Sequence, residues 1–251
     1  MILFDPIARA REIGKVVAKD SRRKYYRISR PGRWYGGIAS ADCCGCNLMC
    51  VFCWSDKPRD HPEKCGVFYE PEEVAESIMR CAHDHHYGQV RISGNEPTIA
   101  KEHLLDVISL VTSTGLHFIL ETNGTLLNAD FVARLAAFQN LHVRVSLKGT
   151  DPGEFSMLAG AIPETFDMIM ENLRSLITHE VAFNLAVMLS FSPDKQVASL
   201  KERLAKISPV ILQNFEEEYV FLYPHVMSRL KNAGIEPLIA YTPGGVPKRL
   251  V

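Results

Sequence analysis

A chain of 251 residues, 47% hydrophobic and 23% charged with a formal net charge of −1, is long enough to bury a large core as one α/β domain and too balanced in composition to be disordered or fibrous. No apolar run reaches the roughly 18 residues of a membrane span, and the start "MILFDPIARAREIGK" lacks the basic opening and small-residue cleavage site of a secretory leader, so a cytoplasmic protein is expected. Seven cysteines, an odd number crowded mostly into one loop, exclude a secreted disulfide framework and point to metal or catalysis.

Residues 1–36 carry ten Lys/Arg against three acids, a local balance of +7 that leaves −8 for the rest. Residues 1–35 therefore read as a basic N-terminal segment ahead of a domain spanning 36–251. Such a segment can hold phosphate or nucleic acid, although a solvated basic face is the commoner explanation. "GGIASAD" reads as the first strand, and Cys43, Cys44, Cys46, Cys50 and Cys53 follow it directly. "EPEEVAESIMRCAHD" has Pro71 and two glutamates in a first turn and Val74, Ile78 and Cys81 on one face, which predicts a helix with Cys81 in the core. The "HDHH" at 83–86 falls at its end, where histidine suits the helix dipole more often than a metal.

"YGQVRISG" is the next strand, "KEHLLDVISLVTSTG" a helix ending at Gly115, and "LHFILETNG" a strand. The unit repeats through "NADFVARLAAF" (helix), "LHVRVSLKG" (strand), "ETFDMIMENLRSLITHE" (helix, with Phe166, Ile169, Met170, Leu173 and Leu176 inward) and "VAFNLAVMLSF" (strand). A helix near 195–206, a strand "YVFLYP" and a short helix "HVMSRLKNAG" complete the series, and "GIEPLIAYTPGGVPKRLV" is too small for a separate substrate domain. Six strands separated by helices imply a mostly parallel sheet. Parallel βα units place active sites at the C-terminal ends of their strands, so the cysteine loop, "GNEP", "ETNG" and "SLKG" converge on one rim.

Cys46, Cys50 and Cys53 form C-x3-C-x2-C. Three thiolates can hold three irons of a [4Fe–4S] cube, and a metal position left open marks a catalytic rather than a structural site. The competing reading is a zinc site or a set of buried thiols. Structural zinc usually takes paired C-x2-C knuckles, and only Cys50 and Cys53 make one; Cys43, Cys44 and Cys65 are the residues that would have to complete a zinc site or a second cluster.

With an aromatic, Phe52, before its last cysteine, this motif resembles the signature of the radical S-adenosylmethionine (SAM) superfamily. The resemblance implies a partial (β/α)6 TIM-like barrel carrying a [4Fe–4S] cluster after the first strand. It also implies SAM as second cofactor, bound to the open iron by its methionine amine and carboxylate and split by one electron into methionine and a 5′-deoxyadenosyl radical. Cys46, Cys50 and Cys53 would then be ligands, Cys43 and Cys44 packing residues, Phe52 a neighbour of the adenine, and Trp54 a lid on the cluster or a core aromatic. Gly94, Asn95, Glu96 and Pro97 match the family's usual Gly-Gly-Glu-Pro, which binds the methionine ammonium through backbone carbonyls and the glutamate. Asn95 replaces the second glycine, a substitution suited to positive φ.

"LETNG" and "VSLKG" look like paired segments of glycyl-radical-enzyme activases of the pyruvate formate-lyase activating type, Asp-Thr-Asn-Gly and Asp-x-Lys. Glu121, Thr122 and Asn123 match the first, Ser146 and Lys148 the second. In those activases the two aspartates help hold a monovalent cation, and here a glutamate and a serine stand in their places. Lys148 is the candidate catalytic residue, reaching a carboxylate on SAM or substrate, unless it is an ordinary strand-end lysine. Asn184, Ser190, Tyr223 and His225 are candidates for the ribose or substrate side. The implied partner is a one-electron donor such as flavodoxin or ferredoxin. Three functions stay open: an activase abstracting hydrogen from a protein glycine, a radical enzyme of small-molecule, nucleotide or tRNA chemistry, and an RNA-binding module with a structural cluster.

Overall fold

The structure, a computed structural model, describes residues 3–245. Residues 1–2 and 246–251, the ends of the basic segment and of the domain read from the sequence, lie outside the described residues.

Helix α1 (Pro6–Val17) starts at Asp5, whose carboxylate accepts the Ile7 N–H at 2.8 Å, the expected use of an N-cap aspartate. Strands β1 (Ala18–Lys19) and β2 (Arg22–Gly32) pair antiparallel, and β2 runs antiparallel beside β3 (Ile38–Cys43). The second half of the basic segment is thus woven into the sheet. After the cysteine loop come α2 (Asp56–Asp60) and β4 (Val67–Tyr69), which pairs with β2.

The βα units then follow in order: α3 (Pro71–Asp84), β5 (Gln89–Ser93), α4 (Lys101–Thr112), β6 (His117–Thr122), α5 (Ala129–Leu135), β7 (Leu141–Leu147), α6 (Pro152–Ala159) and α7 (Glu164–Thr178). The series ends with β8 (Phe183–Met188), α8 (Asp194–Ile207), α9 (Pro209–Gln213) and β9 (Phe215–Glu218). Beyond it lie β10 (Val220–Phe221), α10 (Pro224–Ala233) and β11 (Ala240–Tyr241), with β10 and β11 forming their own two-stranded sheet. In the main sheet β3, β5, β6, β7, β8 and β9 are neighbours in that order and all parallel, with β2 flanking β3 and β9 at the far edge. The fold is α/β with an open parallel sheet of the partial TIM-like kind.

Side chains alternate across a strand, and the two faces here are chemically opposite. Val90, Ile92, Phe118, Leu120, Val143, Val145, Leu185 and Val187 are buried in one cluster with Ile78, Leu104, Ile108, Phe166, Ile169 and Leu173 of α3, α4 and α7. The intervening positions carry Asp42, Arg91, Glu121, Arg144, Ser146, Glu216 and Glu218, which meet one another on the other face. Parallel strands buried on both sides usually read as unbroken apolar runs; these do not.

One expected strand is corrected. The sixth parallel strand is Phe215–Glu218, upstream of "YVFLYP", whose Val220–Phe221 pairs with Ala240–Tyr241 instead. A run of three glutamates opposes the usual strand composition, but Glu216 and Glu218 lie against Arg144 and Lys148, which removes the charge penalty. Helix α6, absent from the sequence reading, is short; Asp151 caps it by accepting Glu154 N–H at 2.9 Å, and Gly160 ends it in the left-handed conformation at φ 74°. We predict that Phe118→Ala, which empties a fully buried site on β6, costs about 3–5 kcal/mol, read as a lower urea midpoint at unchanged slope; a loss under about 1 kcal/mol would show that this face is not the core.

Candidate cluster and cofactor site

The cysteine loop leaves the end of β3, and all seven cysteines are unbridged thiols. Protein groups hold the loop backbone from outside. Arg59 donates to the Cys50 carbonyl at 2.5 Å and forks onto Asp60. Arg229, delivered by α10, donates to the Val51 carbonyl at 2.9 Å, to the Cys53 carbonyl, and to Asp56 at 2.6 Å. Met49 and Val51 N–H groups donate to the Ala159 and Leu158 carbonyls, each at 2.9 Å.

Burial pushes the Cys46 thiol well above its ordinary pKa, with Glu96, Cys50 and Cys53 adding to the rise. Burial likewise pushes Cys50 up to about 11, with Lys148 opposing. Three neighbouring thiols, Cys46, Cys50 and Cys53, with Arg59 and Lys148 close by, fit an iron–sulfur cube that draws off their protons and leaves net negative charge for those cations to balance. Among the described residues no three His, Cys, Asp or Glu side chains gather as a single ion would need; a cube asks instead for one thiolate at each of three corners. Cys43 donates to the Ser93 carbonyl at 3.2 Å and Cys44 to the Cys65 carbonyl at 3.5 Å, so both point away from the triad as packing.

"GNEP" departs from expectation in two ways. Gly94 takes φ 101°, and a Cβ there would lie 2.7 Å from Cys43 N. The described non-glycine residues with positive φ are Asp20, Tyr35, His86 and Glu180, so Asn95 is not tolerated for that reason; its side chain is in use. Glu96, expected to face an ammonium, is fully buried and turned into the frame. Its Oε1 accepts Thr98 N–H (3.1 Å), Thr98 Oγ1 (2.5 Å) and Thr122 Oγ1 (2.7 Å), and its Oε2 accepts Asn123 N–H (2.8 Å). Burial raises the Glu96 pKa, and those donors restrain the rise. Pro97 begins the single turn Pro97–Ile99 that supplies Thr98. Asn123 passes the connection on, donating to Asn47 Oδ1 at 2.8 Å and toward Cys46 Sγ at 3.8 Å.

The polar face of the sheet is an ion lattice. Arg91 pairs with Glu121 at 2.9 Å, and Arg144 forks onto Glu216 and comes within 3.8 Å of both Glu121 and Glu218. Ser146 donates to Glu218 at 2.7 Å; Lys148 donates to Ser146, lies 3.6 Å from Glu218, and sits 6.0 Å from the centre of the Phe52 ring. Phe52 in turn packs on Phe191. Nearer β2, Asp42 takes both Arg30 (2.8 and 2.9 Å) and Arg27 (2.9 Å).

Of the weaker candidates, Asn184 joins this lattice through Glu216 (2.7 Å). Buried Ser190 instead bolts down the C-terminal segment, accepting Val220 N–H at 2.8 Å. Tyr223 stacks on His225, whose Nε2 lies 3.0 Å from the Trp54 carbonyl; Trp54 is 44% exposed and so is not core. Asn47, Arg59, Arg91, Arg144, Glu216, Glu218 and Arg229 escaped the sequence reading. "VRIS" and "VRVS", each with an arginine between two apolar residues, carried the signal for two of them. Four of the ten cations of the basic segment are turned to structural use: buried Arg23 donates to the Val17 and Glu96 carbonyls, Lys24 to the Pro62 and Glu63 carbonyls, and Arg27 and Arg30 hold Asp42.

Residues 42–204 match the family model described as the Radical SAM superfamily. A probable GTP 3′,8-cyclase of Pyrococcus horikoshii is 27% identical over 152 residues, 60% of this chain and 46% of that protein. The mycofactocin maturase MftC of Mycobacterium ulcerans is 27% identical over 52% of this chain and 33% of its own length. The crystal structure of Streptococcus suis SuiB bound to S-adenosylmethionine superposes with a TM-score of 0.58 at 16% identity, over 76% of this chain and 44% of that one. The chain spans roughly half the length, or less, of these three proteins.

Glu96→Gln keeps the shape but turns one acceptor into a donor amid groups that all donate; we predict a stability loss of about 1–3 kcal/mol by urea titration, and an unchanged midpoint would contradict the frame described. A second expectation concerns acid. Burial pushes the Glu218 carboxyl up, but Lys148, Arg144 and Ser146 outweigh it and hold the pKa down at about 2 against an ordinary 4.5. A depressed carboxyl pKa contributes stability that is present above 4.5 and lost as pH falls toward 2. Stability should therefore drop across that window in the native chain and drop less in Glu218→Gln; identical profiles would contradict the pairing.

Proposed function

The chain belongs to the radical SAM superfamily, whose enzymes use a [4Fe–4S] cluster and S-adenosylmethionine, and we propose that it generates a radical for hydrogen abstraction from a small molecule, nucleotides included. When bound, the cluster and SAM supply a 5′-deoxyadenosyl radical from one electron. Cys46, Cys50 and Cys53 hold the cluster; Arg59 and Arg229 fix the backbone between them, and Lys148 balances charge beside Cys50. Gly94, Asn95, Glu96 and Pro97, with Thr122 and Asn123, form the frame against which SAM is seated, Glu96 acting by rigidity and the backbone of the segment by its carbonyls. Phe52 closes the apolar side with Phe191. Residues 36–251 serve as the catalytic domain, with 1–35 extending its sheet.

The observation that carries the choice of substrate is the occupancy of Glu121 and Ser146. These match the activase positions that help hold a monovalent cation, and here fixed cations take the role: Arg91 and Arg144 pair with Glu121, while Ser146 is bound to Glu218 and Lys148. That favours the small-molecule reading over abstraction from a protein glycine. The name of the Pyrococcus horikoshii relative, a probable GTP 3′,8-cyclase, agrees with it, whereas the Mycobacterium ulcerans relative is named as a maturase. The structural use of Arg23, Lys24, Arg27 and Arg30 leaves fewer cations of the basic segment for an RNA surface. A flavodoxin or ferredoxin delivers the electron, and a reducing cytoplasm suits seven unbridged thiols; no helix among the described residues is long and apolar enough to cross a membrane.

Anaerobic reconstitution should load about four irons per chain and, with SAM and a strong reductant, release 5′-deoxyadenosine. We predict that Cys46→Ala, Cys50→Ala and Cys53→Ala each abolish both, while Cys43→Ala and Cys44→Ala keep both; equal loss in all five would contradict the ligand assignment. A deuterated substrate pool that passes its label to 5′-deoxyadenosine would then identify the substrate, and label passing from a glycine-deuterated protein instead would restore the activase reading.

A further inference from the structure

We infer that Asn95 is a positioning residue that ties the two ends of the cysteine loop together before any cluster is bound, a role resting on Cys46, Cys50 and Cys53 as the ligands. Asn95 Oδ1 accepts Gly45 N–H at 3.0 Å, and its Nδ2 donates to the Ser55 carbonyl at 3.1 Å and to the Gly94 carbonyl at 3.3 Å. Gly45 directly precedes Cys46, and Ser55 lies two positions beyond Cys53. One side-chain amide therefore spans the whole ligand triad.

The near end has other support. Glu96 N–H donates to the Gly45 carbonyl at 3.1 Å, and Gly45 N–H is shared with the Pro58 carbonyl at 2.9 Å. A glycine at 95, the family's usual residue, keeps both of those backbone bonds but offers nothing to Ser55. The far end is where the asparagine is needed, and Ser55 is worth holding because its hydroxyl lies 2.8 Å from the Tyr26 hydroxyl of β2. The task requires an acceptor at one end and a donor at the other. Aspartate supplies only acceptors and would set a carboxylate against the Ser55 carbonyl, and serine is too short to span.

Ligands held in place beforehand lose less conformational freedom when metal binds. The tie should therefore show as slower loss of iron, with little effect on the sheet behind it. The experiment compares wild type, Asn95→Gly and Asn95→Asp in two ways. Amide exchange in 45–55 of the iron-free chain reads the tie without any cluster, and the rate of iron release to a chelator from the reconstituted protein reads its consequence. We expect faster exchange confined to 45–55 and iron release about tenfold faster in both variants, the equivalent of about 1.4 kcal/mol, with an altered electron paramagnetic resonance line shape of the reduced cluster and an almost unchanged melting temperature. Exchange and release both at wild-type rates in Asn95→Asp, the variant that keeps an acceptor for Gly45, would overturn the role of the Ser55 bond, whatever becomes of Asn95→Gly. Faster exchange in 45–55 of both variants, together with a wild-type chain that takes up no four-iron cluster, would leave the tie standing and remove the ligand reading instead.

Discussion

A carboxylate with no exposure to water is costly unless every lone pair is met, and Glu96 is met by four donors from three residues. Those donors are what join the end of β5 to the end of β6, because Thr98 lies beyond one strand and Thr122 and Asn123 close the other. Asn123 reaches on to Asn47 and Cys46, so three chain segments far apart in sequence become one rigid rim. The cysteine loop takes its place from that rim on one side and from Arg59 and Arg229 on the other. Glutamate at 96 is therefore first a structural keystone, and whatever binds above it inherits that rigidity.

The second constraint is the inside-out chemistry of the sheet. An apolar face toward the helices stabilises the fold, while the opposite face has been given over to arginines, glutamates and a lysine that saturate one another. Arg144 is central, touching glutamates of β6 and β9 at once. An open sheet with charges on the face away from α3, α4 and α7 keeps polar groups close to the cysteine loop, with Lys148 as the link between lattice and loop. Such a lattice is stiff because each charge removed leaves a buried partner unpaired.

Much of this was legible in the sequence, and the failures have physical causes. The βα rhythm from β3 to β8 is plain because apolar alternation and helical periodicity agree locally. β9 was missed because "FEEE" is unfavourable as an isolated segment and becomes a strand only when Arg144 and Lys148 are present in space. The cysteine spacing singles out Cys46, Cys50 and Cys53 as the candidate ligands, and "GNEP" and "ETNG" are legible as neighbours on one rim. Their connection is not legible, since the resemblance implies only that Glu96 meets the SAM ammonium, and the folded chain is needed to show four donors converging on it. Backbone freedom is what the sequence suggests for Asn95, whereas its side-chain bonds to Gly45 and Ser55 hold the explanation. Arg59 and Arg229 act on carbonyls of the loop, a contact with no sequence pattern of its own.

The central claim is that three cysteines on this rim hold a four-iron cluster with one corner left for SAM. Electron–nuclear double resonance on the reduced protein, with SAM labelled with nitrogen-15 at the methionine amine, tests it most directly. The account predicts a hyperfine coupling between that nitrogen and the cluster spin, which disappears when unlabelled methionine-free nucleoside replaces SAM. A well-reduced four-iron signal with no coupling to the labelled nitrogen would contradict it.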